Sequence, residues 1–231
     1  MQPIELLAIL GRGLKEQDEN WFLTRDLEMG NELGMYAKER LPIDEASPYF
    51  LIGGGMLNLC AGAELCRQHA ETLRAVVCAY GERAPYLVAV NGPSESEITS
   101  DYLKLQFPAA GGPEIIVWPR ERVTDTGSSN TDQELINIFR LAVERGYKGV
   151  GFVTVLVHYA RALLMASRHL AEPEFAHLTL QAYVSEDILL RHNPREFGPR
   201  VRALHNSPAF MRMMFLEQRG TNALLSGTYS A

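Results

Sequence analysis

From Pro48 onward, short apolar runs and helical stripes alternate along the chain. Residues 49–52 make a short apolar strand, closed at once by Gly53-Gly54-Gly55. Residues 57–80 then carry Leu59, Ala63, Cys66, Ala70, Leu73 and Val77 at helical spacing and stop at Gly81, a C-cap glycine. A second strand over 86–90 runs into the turn Asn91-Gly92-Pro93, and a helix follows over 94–107. Residues 115–118 form the third strand, and a polar loop over 119–129 leads to a helix over 131–145, closed by Gly146. Next comes the β-branched run 150–154 behind Gly149, a buried strand by its composition, followed by a helix to Leu170. Residues 178–184 alternate as a fifth strand. This order predicts an α/β domain with a mainly parallel five-stranded sheet covered on both faces.

The flanks read differently. Behind Pro3, residues Ile4, Leu7, Ala8 and Leu14 recur at helical spacing. Thr24 can cap a second helix presenting Leu27, Gly30, Leu33, Gly34 and Ala37, which must stop before Pro42. The expectation is a helical N-terminal arm over 1–47, packed on an α/β domain over 48–231. The tail, opening at Ser207-Pro208 with Phe210, Met211, Met214 and Phe215, predicts a helix against the sheet layer.

Composition narrows the function. The 231 residues fit one domain with an appended piece, and 46% hydrophobic with 22% charged residues is ordinary for a soluble globular chain. A net charge of −6, from 22 basic and 28 acidic residues, argues against nucleic acid and anionic lipid as partners. Cys60, Cys66 and Cys78 lie in one helical stretch and give neither a disulfide framework nor a zinc site. No apolar run approaches the roughly 18 residues of a membrane span, and Glu5 interrupts any signal-like start. The expected location is cytoplasmic, without membrane insertion.

Candidate chemistry gathers after the strands, where open parallel sheets bind ligands. Gly53, Gly54 and Gly55 let backbone N–H groups approach an anion, or simply make a tight turn. Ser94 and Glu97 form a capping box, which leaves Glu95 over; Thr131 and Glu134 form another, which leaves Ser128 and Asn130. After the strand at 150–154, His158 and Arg161 stand three apart and share a helix face. That pair also fits the wet first turn of an ordinary helix. No nucleophile elbow, Walker lysine or helical zinc pair is present, so no metal site is expected.

The order of these pieces, with Thr154-x-x-x-His158-x-x-Arg161 after the fourth strand, resembles the YdcF/SanA/ElyC family of bacterial domains over residues 48–184. The resemblance implies a Rossmann-like three-layer fold with a charged cleft over the strand ends. It carries over Gly53, Gly54, Glu95, Ser128, Asn130, Thr131, Thr154, His158 and Arg161 as site residues. Two departures bear on activity: Gln133 and Glu134 stand where the family pattern continues Glu-Asn, and Val155 follows Thr154 in place of Ser or Asn. The third is the N-terminal stretch, where envelope members of the family span a membrane. The resulting expectation is an enzyme of hydrolysis or group transfer on an anionic, phosphate-bearing small molecule. His158 and Glu95 act as acid or base, while Arg161 pairs with the anion. Two alternatives stand beside it: a protein binding S-adenosylmethionine or another nucleotide, with Glu95 on the ribose, and a non-catalytic binding or regulatory module.

Overall fold

Leu6–Ile9 is a strand (β1) at the middle of the molecule, where the sequence suggested a helical arm. The computed structural model describes residues 2–12, 14–17, 20–24, 27–29, 51–78, 95–107, 112–117 and 131–229. After β1 come the hairpin β2 (Leu14–Gln17) and β3 (Asn20–Leu23), then β4 (Leu27–Met29) paired antiparallel with β5 (Leu51–Gly53). The second helix of the expected arm is therefore strand at Leu27–Met29, and its remaining positions lie outside the described residues. Likewise, the strand expected over 49–52 is represented by β5, which joins β4 rather than the main sheet.

Helix α1 (Gly55–Gln68) ends a full three turns before the predicted stop, and Ala75–Cys78 is a strand of the main sheet (β6). The predicted strand over 86–90, its Asn91-Gly92-Pro93 turn and the loop over 119–129 lie outside the described residues. From α2 (Glu95–Gln106) the observed elements follow the pattern: β7 (Glu114–Val117), α3 (Thr131–Glu144), β8 (Gly149–Thr154), α4 (Leu156–Leu170) and β9 (Thr179–Val184). Three further helices close the described chain: α5 (Ser185–His192), α6 (Pro194–His205) and α7 (Pro208–Ser226).

The main sheet is wholly parallel, in the order β7-β6-β1-β8-β9. Numbered along the chain, this is the 3-2-1-4-5 order of a Rossmann-like α/β fold, and its direction reverses between β1 and β8. Side chains of β1 alternate between two cores. Leu7 and Ile9 pack with α1, α5 and α6 residues such as Leu57, Ile188 and Val201, while Leu6 and Ala8 pack with Phe139 of α3 and Met165 of α4. The fold is thus three layered, helices on both faces of one sheet.

Helix α7 belongs to both cores. Phe210 and Met213 sit in the first, Leu224 in the second, so the helix crosses from one layer to the other. Ser207 caps it by accepting the Phe210 N–H at 3.1 Å, Pro208 takes the first turn, and left-handed Gly227 ends it. Three buried apolar anchors, at about 1.5–3 kcal/mol each, contribute to docking it. Of the four residues expected to hold the tail down, only Phe210 is buried, whereas Met211 and Phe215 are exposed. The buried face is the one carrying Glu217.

Candidate functional site

A topological reversal opens a crevice at the carboxyl ends of the two strands that flank it. Here those strands are β1, leading to Arg12, and β8, leading to Thr154 and His158. The other strands of the main sheet feed the same rim: β6 precedes Glu95, β7 precedes Thr131, and β9 leads directly into Ser185 and Glu186.

His158 lies on the first turn of α4 and is 1% exposed, so the wet helix start is not its setting. Its Nδ1 meets Glu217 Oε1 at 3.0 Å and its Nε2 meets Thr131 Oγ1 at 2.9 Å. Arg161, one turn on, grips the same carboxylate with Nε and, at 3.1 Å, with Nη2, while its Nη1 donates to Tyr229 Oη at 3.2 Å. Such a fork-to-fork contact is among the stronger hydrogen-bonded pairs. Gly220, one turn beyond Glu217 on α7, makes room: a Cβ there would stand 3.0 Å from Arg161 Cδ. The anion that Arg161 meets is therefore Glu217, a residue of the chain itself.

Arg12 closes the other side. Its backbone N–H donates to Glu95 Oε1 at 2.7 Å and its Nε to the Gly53 carbonyl at 3.1 Å. Its Nη1 approaches Glu217 Oε1 only to 3.9 Å, too long for a hydrogen bond. Glu95, Arg12, Glu217 and His158 thus form one buried chain of contacts, with Glu217 rather than Glu95 on His158.

Charge states follow from these partners. Burial pushes the Glu217 carboxyl up, but contact with His158 and with the Arg161 guanidinium outweighs it and holds the group well below the ordinary carboxylate range. Burial pushes the His158 imidazole down; Glu217 opposes this, Arg12 and Arg161 add to it, and the net shift is downward. At neutral pH a neutral imidazole therefore faces an ionised carboxylate. Because the carboxylate can only accept, Nδ1 carries the proton and Nε2 is left bare to accept from the Thr131 hydroxyl.

The glycine turn is spoken for differently from expectation. Gly54 is left-handed (φ 92°) and a Cβ would stand 2.5 Å from Val155 Cγ1, so only glycine lets α1 start this close to α4. The Gly55 N–H donates to Thr24 Oγ1 at 3.1 Å and the Met56 N–H to the Thr24 carbonyl at 2.8 Å. Those two helix-start amides are taken by the protein itself. Thr154 is fully buried, and its Oγ1 has no hydrogen-bond partner among the described residues. Ser128 and Asn130 lie outside the described residues.

Beside this chain sits a second buried carboxylate. Glu186 Oε2 accepts the Leu156 N–H at 2.9 Å and so caps α4, while Oε1 is buried with no hydrogen-bond partner among the described residues. Gly54, Leu57, Val155, Val157, Leu204 and Phe210 surround it in a crevice too narrow for water. Burial pushes this carboxyl up to about 7, against its own N–H and that of Leu156. Among the described residues no cluster of His, Cys, Asp and Glu is arranged to hold a metal ion, and no helix is long and apolar enough to cross a membrane. Cys66 and Cys78 are buried, and burial lifts the Cys66 thiol to about 12, far from a reactive thiolate.

Sequence reasoning missed Arg12, Glu186 and Glu217. Glu217 had a signal: an acidic residue on the face shared by Phe210, Met213 and Leu224. Arg12 followed a stretch read as helix, which hid its place at a strand end. No protein-family model, curated protein or solved structure matches the chain.

Proposed function

We propose that this chain is an enzyme of hydrolysis or group transfer, acting on an anionic, phosphate-bearing small molecule in the crevice between the ends of β1 and β8. The observation that carries this reading is the neutral His158, with its bare Nε2 held 2.9 Å from a hydroxyl at the sheet's reversal. A general base needs that geometry first and a suitable proton affinity second. In this reading Arg12 faces the anion, because Arg161 is already committed to Glu217 and Tyr229. Glu95 holds the Arg12 backbone and acts on the ligand through it. The sequence Thr154-x-x-x-His158-x-x-Arg161 after β8, with Glu95 after β6 and Thr131 after β7, supports kinship with the YdcF/SanA/ElyC family; the glycine turn does not, because β5 lies outside the main sheet.

A second reading, binding of S-adenosylmethionine or another nucleotide, draws on the Rossmann-like strand order and on the glycine turn before the first crossover helix. The capture of the Gly55 and Met56 amides by Thr24 weighs against it. One experiment separates the readings. Turnover of p-nitrophenyl phosphate and p-nitrophenyl acetate is measured for the wild type and His158→Gln, beside thermal shifts with phosphate, ATP and S-adenosylmethionine. The catalytic reading expects a His158-dependent rate that falls as pH drops through a value below the ordinary imidazole range of about 6.5. A thermal shift with either nucleotide and no His158-dependent turnover favours the second reading. No response to any of these compounds returns the site to a structural or regulatory role.

A further inference from the structure

We infer that Thr131 is the nucleophile of this site, forming a covalent ester with the substrate's electrophilic acyl or phosphoryl centre, with Glu217 the positioning residue of His158. The inference rests on the general-base role of His158 proposed above. Its ground is a three-part alignment drawn from three separate helices. Thr131 Oγ1 lies 2.9 Å from His158 Nε2, and His158 Nδ1 lies 3.0 Å from Glu217 Oε1, with Glu217 fixed in turn by both donors of the Arg161 fork. A hydroxyl in hydrogen-bond reach of a base that a third group orients is the arrangement by which weak oxygen nucleophiles are activated.

Exposure separates the roles. His158 and Glu217 are buried, whereas Thr131 is only half buried and begins its helix at the rim. Of the three residues, Thr131 is thus the least enclosed. A threonine serving only to satisfy His158 has no need of that exposure. His158 is faced by Glu217 of α7, Arg161 of its own helix, Arg12 beyond β1 and Thr131 of α3. The two guanidiniums disfavour a second proton on the ring, which keeps Nε2 free to accept.

The reaction then balances as follows. Thr131 Oγ bonds to the electrophilic carbon or phosphorus as its proton passes to Nε2. The bond from that centre to the leaving oxygen breaks, and the leaving oxygen takes the proton from Nε2. Water attacks the ester on Thr131 and gives a proton to Nε2, which returns it to Thr131 Oγ as the ester bond breaks. Glu217 accepts hydrogen bonds throughout and keeps its charge.

Acetyl phosphate tests this directly, because it is anionic and offers both an acyl and a phosphoryl centre. The protein is mixed with it, quenched in acid and mapped by peptide mass spectrometry, while phosphate release is followed in parallel. The expected result is an adduct on Thr131 in the wild type and in Thr131→Ser, absent from Thr131→Val and His158→Gln, with turnover in the last two lower by about 10²–10⁴-fold. An added acetyl or an added phosphoryl mass identifies the centre attacked. Glu217→Gln is expected to slow turnover and shift its acid limb, while Glu217→Asp restores part of the rate. A His158-dependent rate that Thr131→Val leaves intact, with no adduct, overturns the nucleophile and leaves the general base standing, with water attacking directly. A rate indifferent to His158 and an unmodified Thr131 overturn both. Thermal midpoints of each variant establish that it is folded.

Discussion

Glu217 and Glu186 face the same rim, and both are nearly sealed from solvent, at 8% and 1% exposure. Their surroundings could hardly differ more. Glu217 receives two donors of the Arg161 fork and the His158 ring N–H, with a second guanidinium nearby. Glu186 has only backbone donors, the Leu156 N–H at 2.9 Å and its own N–H, while among the described residues its Oε1 has no hydrogen-bond partner and His205 Nε2, likewise buried without one, stops 4.0 Å away. One carboxyl is driven well below its ordinary range; the other rises to about 7. Burial is common to both, so burial does not decide ionisation here. The cations within reach decide it.

The sharpest way to break the contrast is to take the fork from Glu217. Arg161→Met leaves a buried carboxylate without its main partner and is expected to destabilise the fold by roughly 3–5 kcal/mol at neutral pH. The loss shrinks in acid, where the orphaned carboxyl protonates. Denaturant melts at neutral and acidic pH measure it, and a loss below about 1 kcal/mol, the worth of an exposed pair, would show that Glu217 relaxes into water.

Glu186 answers to pH in the opposite sense. Its folded value lies above that of the unfolded chain, so the native state holds the extra proton between about 4.5 and 7. The stability that this proton contributes is complete at the acid end and is lost as pH rises through about 7. Glu186→Gln keeps an acceptor for Leu156 and removes the charge. It is expected to stabilise the protein on the order of 3 kcal/mol at alkaline pH and negligibly in acid. Equal midpoints for variant and wild type across that range would mean that Glu186 already ionises with a partner.

The smallest effect is expected at His205. Its ring lies tilted by 42° against Phe210, with 4.6 Å between centroids, while its nitrogen stops short of Glu186. His205→Phe keeps the ring contact and is expected to change stability within about 0.5 kcal/mol without moving the Glu186 transition. If the transition moves by a full pH unit in chemical denaturation, the two groups are coupled and the contrast with Glu217 softens.

Much of this was legible in the residues, unevenly so. The strand at Gly149–Thr154, the helix that follows it and the fifth strand are legible, because each is long enough to show its period; the helices Ser185–His192 and Pro194–His205 are not among the sequence's expectations. Leu6–Ile9 and Ala75–Cys78 are not legible as strands, for a shared reason. Each is four residues long and buried on both faces, so neither alternates between apolar and polar, and each merges with nearby apolar residues into a helical stripe. Within the site, His158 and Arg161 declared themselves by their spacing beyond a strand. Their common partner, Glu217, comes 56 residues after Arg161 on a different helix, and no local pattern links them. Only the packing of α7 across the rim brings it there.

The place of β1 in the sheet also bears on how the chain comes to be folded. Its two neighbours are β6 and β8, and across the β8 junction Glu5 accepts from the N–H of Lys148, 143 residues further along. On a ribosome, β1 would wait with one edge open until that distant partner emerged. Until then it could pair with β6 on one side only. Non-local pairing of this kind slows folding and leaves strand edges open to wrong partners. The central strand of this molecule is made before both of its neighbours and is enclosed only when β8 arrives, which makes nascent chains cut short before β8 the species expected to aggregate.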